Sequence, residues 1–236
     1  MDDDQFRQLL DQLDFSWSGY RKVRKGVKKR ISRHMQELEC QNMHAYLDLL
    51  NQSAGLRQEC KKRMTVSISR FFRDRQLWLD LENDILPRMV QKDKKRVRVW
   101  SAGCARGEEV YSIKIVWDRL TEKSPQCPGI EILATDMRPD YIDKAREGVY
   151  ARSSMKEVSR EVREQYFEIR KNGHRFDIKA EFKKGIEWKV RDLFSGPPGC
   201  DFDMIFLRNN LLTYYRTHLK IKGLKRILKA LVRLDD

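Results

Sequence analysis

The sequence lacks several signals that would assign a protein to a common class. No stretch approaches the roughly 18 consecutive apolar residues of a membrane helix, and the start, MDDDQF, is acidic where a secretory signal is basic. The five cysteines form no CxxC pair and the four histidines are scattered, so neither a disulfide framework nor a metal site is indicated. We therefore expect a cytoplasmic protein with no metal ion and no membrane insertion.

Acidic residues are comparatively few, because 49 Lys and Arg outnumber 35 Asp and Glu and give a formal net charge of +14. Such a surface attracts nucleic acid, anionic membrane or an acidic protein, and charge alone does not choose among them. Forty per cent of the residues are hydrophobic, which is enough for a buried core and excludes a mainly disordered chain.

Residues 1–64 have apolar positions at helical spacing, and no strand pattern occurs before about Val97. Within them, residues 20–35 contain eight Lys and Arg and no acid. A helix that buries Val23, Val27 and Ile31 would leave most of these cations on its outer face. A solvated surface is one interpretation; because a merely solubilising face usually mixes both signs, the pattern favours a docking face for an acidic partner.

From Val97 onward, strand patterns alternate with helix patterns, which is typical of a parallel sheet. The predicted elements, in order, are Val97–Ser101, Glu108–Leu120, Ile130–Asp136, Pro139–Gly148, the strand IEWKVRDL, Asp201–Asn209 and His218–Leu234. Before IEWKVRDL, the segments YFEIR and HRFDIKAEF are joined by Asn172-Gly173, a dipeptide that suits a type I′ hairpin. The sequence therefore predicts an α/β fold that follows a helical region.

The loop 102–107, which contains Gly103, connects the first strand to a helix, where open α/β sheets bind nucleotide-like ligands. Glu108 and Glu109 in the first helical turn would repel a pyrophosphate, and no GK[ST] follows. S-adenosylmethionine (SAM) carries an adenosine, a sulfonium and an amino group but no phosphate, and Asp136 could accept hydrogen bonds from its ribose hydroxyls. Alternatively, these acids only complement the helix dipole and cap the next helix. The order of strand, glycine loop and acids favours the ligand.

Several segments carry a resemblance to a known family. They are TVSISRFFR (65–73), WSAGCARGEE (100–109) with Tyr111-Ser112, ATD (134–136), AREGVY (145–150) and FLRN (206–209). In order and spacing, over essentially the whole chain, they resemble the CheR-type chemotaxis receptor glutamate O-methyltransferases. The FFR and SAG…GEE…YS elements are specific to this group, whereas the sheet and the ribose acid are common to many SAM enzymes.

The resemblance implies a Rossmann-like SAM-dependent methyltransferase sheet with helices on both faces, preceded by a small all-helical domain and carrying an inserted antiparallel β-subdomain. The implied regions are a basic helical domain (1–64), a linker and cofactor-contacting segment (65–90) and a SAM-binding domain (91–236), with the β-subdomain at about 164–188. The chain stops at Asp236, where the family continues into two last strands, so we expect those strands to be missing.

The resemblance also implies an activity and a set of residues. The family uses SAM, released as S-adenosylhomocysteine (SAH), to esterify glutamate side chains on the acidic helical signalling region of chemoreceptors. Beside the loop glycine Gly103, the implied SAM contacts are Ser67, Ser69, Arg73, Glu109, Asp136, Asp192, Leu193, Arg208 and Asn209. The implied docking residues are Arg21, Lys22, Lys25, Lys28, Lys29 and Arg33. Three contacts depart from the usual family residues, because Ser67, Ser69 and Asp192 replace Asn, Thr and Asn, yet each keeps a hydrogen-bonding group.

Arg73 and Tyr214 would lie beside the transferred methyl group. A glutamate is already ionised at pH 7, because its pKa is about 4.3, so methyl transfer to it needs no general base. We expect Arg73 to pair with the substrate carboxylate, or to orient the loop that does, and Tyr214 to line the methyl channel. Alternatively, Arg73 forms an ordinary ion pair and Tyr214 is an ordinary packing residue.

Two other functions stay open. A nucleic-acid methyltransferase would suit the net charge, but amino-methylating enzymes carry an Asn/Asp-Pro-Pro-aromatic motif after the fourth strand, where this chain has residues 208–211, RNNL. This sequence therefore disfavours nucleic acid as the partner. A SAM-binding sensor or scaffold without turnover would dock signalling helices through the same basic face.

Overall fold

The computed structural model describes residues 1–66, 69–90, 94–124, 126–170, 173–208 and 211–232. The chain divides into two compact units. The helical unit comprises Met1–Ser67 and Leu207–Lys225, and the sheet unit comprises Ile68–Phe206 and Arg226–Asp236. The segment 207–225 thus groups with the N-terminal helices, although the sequence analysis places it in the SAM-binding domain.

The helical unit is built around a core to which its first five helices contribute buried side chains. Its helices are α1 (Asp3–Gln12), α2 (Trp17–Tyr20), α3 (Arg24–Glu37), α4 (Met43–Gln52), α5 (Ala54–Met64), α11 (Leu211–Tyr214) and most of α12 (Thr217–Leu228). Phe6, Leu9, Leu10 and Ile31 are buried in the core, as the helical spacing predicts. The cationic helix starts later than expected, because Val23 is the N-cap of α3 and Arg21 and Lys22 lie in the turn before it.

The sheet unit contains a four-stranded parallel sheet of order β6-β2-β1-β7. These strands are β1 (Arg96–Ala102), β2 (Gly129–Asp136), β6 (Ile186–Val190) and β7 (Met204–Phe206). Counted along the chain within this sheet, the order is 3-2-1-4, which matches the first four positions of the Rossmann order 3-2-1-4-5-6. In that arrangement the chain reverses direction of winding between β1 and β7, so ligands are expected outside the carboxyl ends of these strands.

The helices of the sheet unit lie before and between its strands. Before β1 come α6 (Arg75–Asp80), a π-helical turn (Leu81–Ile85) and α7 (Leu86–Val90); α8 (Glu108–Lys123) follows β1, α9 (Pro139–Glu147) follows β2 and α10 (Arg160–Tyr166) follows β3. The region 65–90, expected to be a linker, therefore contains helix from residue 75 to residue 90. The reason is its apolar periodicity, which buries Trp78, Leu81 and Leu86 in the same core as Val99 of β1 and Ile113 of α8.

A separate antiparallel sheet has the order β3-β5-β4, with β3 (Val149–Ala151), β4 (Phe167–Arg170) and β5 (Arg175–Ile178). The β4–β5 pairing is the predicted hairpin, although Asn172 of its turn lies outside the described residues. The small sheet differs from the expected range 164–188 at both ends. It begins with β3, a three-residue strand too short to produce a pattern, and β6 pairs instead with β2 of the parallel sheet.

Two other elements are shorter than their sequence patterns. β7 covers three residues because Asp201 has a left-handed φ of 59° and the side chain of Asp203 accepts a hydrogen bond from the backbone of Arg98. Helix α12 ends at Leu228. Two residues further on, the Ala230 carbonyl accepts a hydrogen bond from the backbone N–H of Phe202. Among the described residues, no helix combines the length and apolarity needed to cross a membrane.

Candidate active site

The loop after β1 is fastened to the end of β2. The backbone N–H groups of Gly103 and Cys104 donate to the carbonyl oxygen of Thr135, at 2.8 and 2.9 Å. Ala105 has a left-handed φ of 51°, which an alanine rarely adopts, and Gly107 has a φ of 87° at the N-cap of α8. A Cβ at residue 107 would lie 2.9 Å from the Ala145 Cβ, so only glycine fits there. The predicted glycine loop is therefore a tightly held turn between β1 and α8.

Asp136 lies at the carboxyl end of β2 and is only 7% exposed. Its two carboxylate oxygens accept hydrogen bonds from the backbone N–H groups of Ala105 and Arg138, both at 3.0 Å. Burial raises the pKa of this carboxyl, and the two N–H donors oppose that rise. Because a carboxylate has about four acceptor positions, two of them remain for a pair of ligand hydroxyls. This geometry fits the predicted ribose contact.

Two more carboxylates begin α8. The hydroxyl of Ser101, a buried residue of β1, donates to Glu109 Oε1 at 2.8 Å. Glu108 is 2% exposed; its Oε1 accepts from the Ser154 hydroxyl at 3.1 Å, and its Oε2 has no hydrogen-bond partner among the described residues. Neither serine is among the site residues predicted from the sequence: Ser101 belongs to the SAG element without an assigned role, and Ser154 lies outside every motif. Acids at the helix N-terminus oppose a phosphate ligand and favour a cationic one.

Asp192 and Leu193 follow β6, the neighbour of β2. The backbone N–H of Arg191 donates to the Asp136 carbonyl at 2.8 Å, which brings the ends of β2 and β6 together. Asp192 caps a short 3₁₀ turn by accepting from the Phe194 N–H at 2.8 Å, and Leu193 is half-buried. The structure therefore places both residues at the carboxyl edge, and their contacts with SAM stay a prediction.

The FFR segment begins with a buried aromatic residue. Phe71 is fully buried and packs edge-to-face on Tyr150 and Phe167. Arg73 is half-buried, and its backbone carbonyl accepts a hydrogen bond of 2.7 Å from the indole N–H of Trp78. Ser69, also half-buried, lies in the same unit. The roles of Ser69 and Arg73 stay predictions.

The remaining predicted site residues are in the helical unit or outside the described residues. Tyr214 packs its ring on Tyr20, with centroids 4.9 Å apart, and its carbonyl accepts from the Ser16 N–H at 2.7 Å. Arg208 is half-buried in the same unit. Ser67 and Asn209 lie outside the described residues. A role for any of these four in the reaction stays a prediction.

The predicted docking residues divide into two groups. Five are exposed and form no ion pair with any residue in the described part of the chain: Arg21, Lys22, Lys25, Lys29 and Arg33. Lys28 differs, because its ammonium group lies 2.9 Å from a carboxylate oxygen of Asp3 and its side chain is only 20% exposed. Lys28 is thus committed to its own unit and contributes less to a docking face than expected.

The residues at the carboxyl edge fit SAM. The carboxylates of Glu108, Glu109 and Asp136 follow the ends of β1 and β2, where sheets of this kind bind a nucleoside. They suit a ligand with ribose hydroxyls and positive charge, and they disfavour a pyrophosphate. Across the described ranges, no group of three His, Cys, Asp or Glu side chains is arranged to hold a metal ion. The fold and this edge define a Rossmann-like SAM-dependent methyltransferase.

Comparison with known proteins identifies the family. A family model described as "CheR methyltransferase, SAM binding domain" matches residues 67–233, which is more than half of the chain. The chain therefore belongs to the CheR methyltransferase family, and its cofactor is SAM. This confirms the resemblance, the fold class and the cofactor inferred from the sequence.

Relatives carry chemotaxis names. A chemotaxis protein methyltransferase of Listeria monocytogenes is 30% identical over 88% of this chain and 76% of its own length. A probable chemotaxis protein methyltransferase of Rhizobium etli is 32% identical over 83% of this chain and 75% of its own length. An uncharacterized 104.1 kDa protein of Rhodobacter capsulatus is 28% identical over 85% of this chain, which spans only 21% of that protein. This chain is accordingly a SAM-dependent methyltransferase of the chemotaxis type.

Proposed function

We propose that this chain, in the cytoplasm, transfers the methyl group of SAM to glutamate side chains on an acidic helical region of a chemoreceptor. One observation carries the choice of an acidic partner, namely the exposed cations of residues 21–33 that no acid in the described chain neutralises. The chemotaxis names of the relatives support a chemoreceptor as that partner.

The chemistry requires little of the protein beyond positioning. SAM, when bound, supplies an electrophilic methyl group on a sulfonium. Asp136 would bind the ribose hydroxyls and Glu109 the ammonium group, which fixes the nucleoside at the carboxyl edge. A glutamate carboxylate is already ionised at pH 7, so the chain has only to remove its water and hold it in line with the methyl group. Arg73 would hold that carboxylate by a bidentate ion pair, and Tyr214 would line the path of the methyl group.

A transfer assay tests the activity. The chain is incubated with tritiated SAM and a purified chemoreceptor signalling fragment, and the label is tested for release by mild base, since methyl esters are base-labile. We expect base-labile label on glutamate, and loss of about 1,000-fold in kcat for Arg73→Ala. Arg70→Ala is the matched control, because Arg70 lies three residues away and faces Glu157 at 3.9 Å. SAM binding without transfer would contradict the proposal and favour the scaffold, and transfer to RNA instead would favour a nucleic-acid enzyme.

A charge-reversal variant tests the docking face separately. Lys25→Glu/Lys29→Glu should raise KM for the receptor fragment about tenfold at low salt, with an unchanged affinity for SAH, because these cations attract the partner and not the cofactor. Lys95→Glu at the amino end of β1 is the control and should change KM little. A rise in KM of the same size for each reversed charge in both variants would show that net charge, rather than this face, attracts the receptor.

A further inference from the structure

Two hydrogen-bonded links tie the Phe71-Phe72 pair to the start of α8. The backbone N–H of Phe72 donates to the Ser112 hydroxyl oxygen at 3.1 Å, and that hydroxyl donates to the Glu108 carbonyl at 2.7 Å. The backbone N–H of Phe71 donates to the Ser154 carbonyl at 3.1 Å, while the Ser154 hydroxyl donates to the Glu108 carboxylate. Both links therefore converge on Glu108.

Ser112 lies in the interior and forms two hydrogen bonds through its side chain. It is completely buried, and its single hydroxyl acts as acceptor for Phe72 and as donor to Glu108. An alanine at this position would leave the half-buried Phe72 N–H without the Ser112 hydroxyl, which costs about 1 kcal/mol. The Phe72 amide would then be free to move.

The backbone held by Ser112 is in an unfavourable conformation. Phe72 has a φ of 51° and Asp74 a φ of 63°, so the residues on both sides of Arg73 are left-handed. Such conformations cost roughly 1–2 kcal/mol per residue and persist only where the surroundings hold them. The Phe71 side chain is buried in the core, and the Trp78 indole binds the Arg73 carbonyl. Ser112 holds the amide directly before Arg73.

We propose that Ser112 is a positioning residue for methyl transfer, which fixes the main chain at Phe72 so that Arg73 is presented in one orientation. The same hydroxyl binds the first turn of α8, next to Glu109, and so connects the placement of Arg73 to the cofactor edge. This inference rests on the proposed role of Arg73, but the placement of the backbone can be measured without any methyl acceptor.

The test compares Ser112→Ala with a control in the same helix. Thr121 makes the same kind of bond, from its hydroxyl to the carbonyl four residues earlier, but nothing in residues 69–74 depends on it. In Ser112→Ala we expect amide exchange in residues 69–74 to accelerate about tenfold, since one hydrogen bond is lost. We expect kcat to fall about 100-fold, with SAH affinity within about twofold of wild type because Asp136 and Glu109 are untouched. Thr121→Ala should change none of these, and Ser112→Thr, which keeps the hydroxyl, should restore kcat.

The outcomes separate the two proposals. Unchanged exchange and kcat in Ser112→Ala would overturn the positioning role, as would equal losses in Ser112→Thr and Ser112→Ala. A fall in SAH affinity and thermal stability with unchanged kcat for the folded fraction would assign Ser112 to stability alone. If Ser112→Ala does not fold, Ser154→Ala, which removes only the bond to the Glu108 carboxylate, should show the same kind of effect on a smaller scale. A wild-type chain without transfer would defeat the proposed function, while the exchange experiment would still test Ser112.

Discussion

The helical unit and the sheet unit place a carboxylate in opposite environments, one paired with cations at the surface and the other buried. In the helical unit, Asp3 lies at the surface, and the hydrogen bond from Lys28 lowers its pKa, with Arg24 adding to the effect. In the sheet unit, Asp136 is buried and forms no salt bridge with any Lys or Arg that the structure describes, and burial raises its pKa. The first carboxylate is neutralised by neighbours of its own unit, whereas the second keeps acceptor positions for a ligand.

The cations show the same contrast. Around α3, exposed Lys and Arg are left without acids in the described chain, which suits recognition of another protein. At the carboxyl edge, by contrast, the conspicuous charges are acids, and their partners are serine hydroxyls and backbone N–H groups. One unit is thus suited to dock an acidic surface and the other to hold a cationic nucleoside. Four predictions test this division.

The largest effect is expected at Gly107. Gly107→Ala would place a methyl group 2.9 Å from the Ala145 Cβ at a φ of 87°. Strain and overpacking together should lower the free energy of unfolding by about 3 kcal/mol and the melting temperature by about 9 °C, with SAH binding lost. Gly173→Ala is the control, because residue 173 also has a positive φ but has nothing within 4 Å. It should lose only about 1 kcal/mol and keep SAH binding; equal losses would show that the close packing around the cofactor turn has no special importance.

Asp136→Asn should separate ligand binding from stability. Replacing an ionised acceptor of two ribose hydroxyls should weaken SAH binding by about 2 kcal/mol, or roughly 30-fold. Stability should change little, because relief from burying a charge offsets the weakened backbone hydrogen bonds. Asp140→Asn, which removes a carboxylate exposed beside Arg138, is the control for calorimetric titration. An Asp136→Asn variant that binds SAH as well as this control would contradict the ribose assignment.

Ionisation of Asp136 should change the stability of the ligand-free chain and its affinity for SAH in opposite directions. Its folded-state pKa is raised above the ordinary 3.8, so between these two values the folded state binds more protons than the unfolded state. Stability without ligand should therefore fall as pH rises through this window, while affinity for SAH, which needs the ionised form, should increase. Asp3 has a lowered pKa and contributes stability that is lost as pH falls below 3.8. Titration of SAH affinity at several acidic pH values checks this, and a dependence that survives in Asp136→Asn would contradict it.

The smallest effect is expected at Asp3. Asp3→Asn would release Lys28 and Arg24 from their ion pairs and add positive charge to the docking face. KM for the receptor fragment should fall about twofold at low salt and return to the wild-type value at high salt. Asp48→Asn on α4, which removes an equal charge, is the control. Identical changes in both variants would indicate a general charge effect.

Strands and loops whose residue pattern lies within one short segment could be predicted from the sequence. Strand β1 was expected at Val97–Ser101 and spans Arg96–Ala102, because Val97, Val99 and Trp100 are residue types that favour strands and lie close together in the sequence. Asp136 and the loop 102–107 could be found because strand, glycines and acids follow one another in the chain. Strand β3 was missed because it has three residues and its register depends on β5, about 26 residues away.

The supporting parts of the site could not be predicted in this way. The left-handed Ala105 and Phe72 are held by bonds to residues 31 and 40 positions away, and no local preference signals them. The contact between Ser112 and Phe72 is likewise a product of tertiary packing. Lys28 could not be distinguished from its neighbours, because its pairing with Asp3 depends on how α1 packs beside α3.

The most direct test of the central claim is a calorimetric titration of the chain with SAH, repeated with ATP. The carboxylates at the ends of β1 and β2 should bind SAH with a stoichiometry of one and should reject ATP, because three acids oppose its phosphates. Binding of SAH alone, lost in Asp136→Asn, is the result that the account predicts. Absence of SAH binding, or equal binding of ATP, would contradict the assignment of this edge as the SAM site.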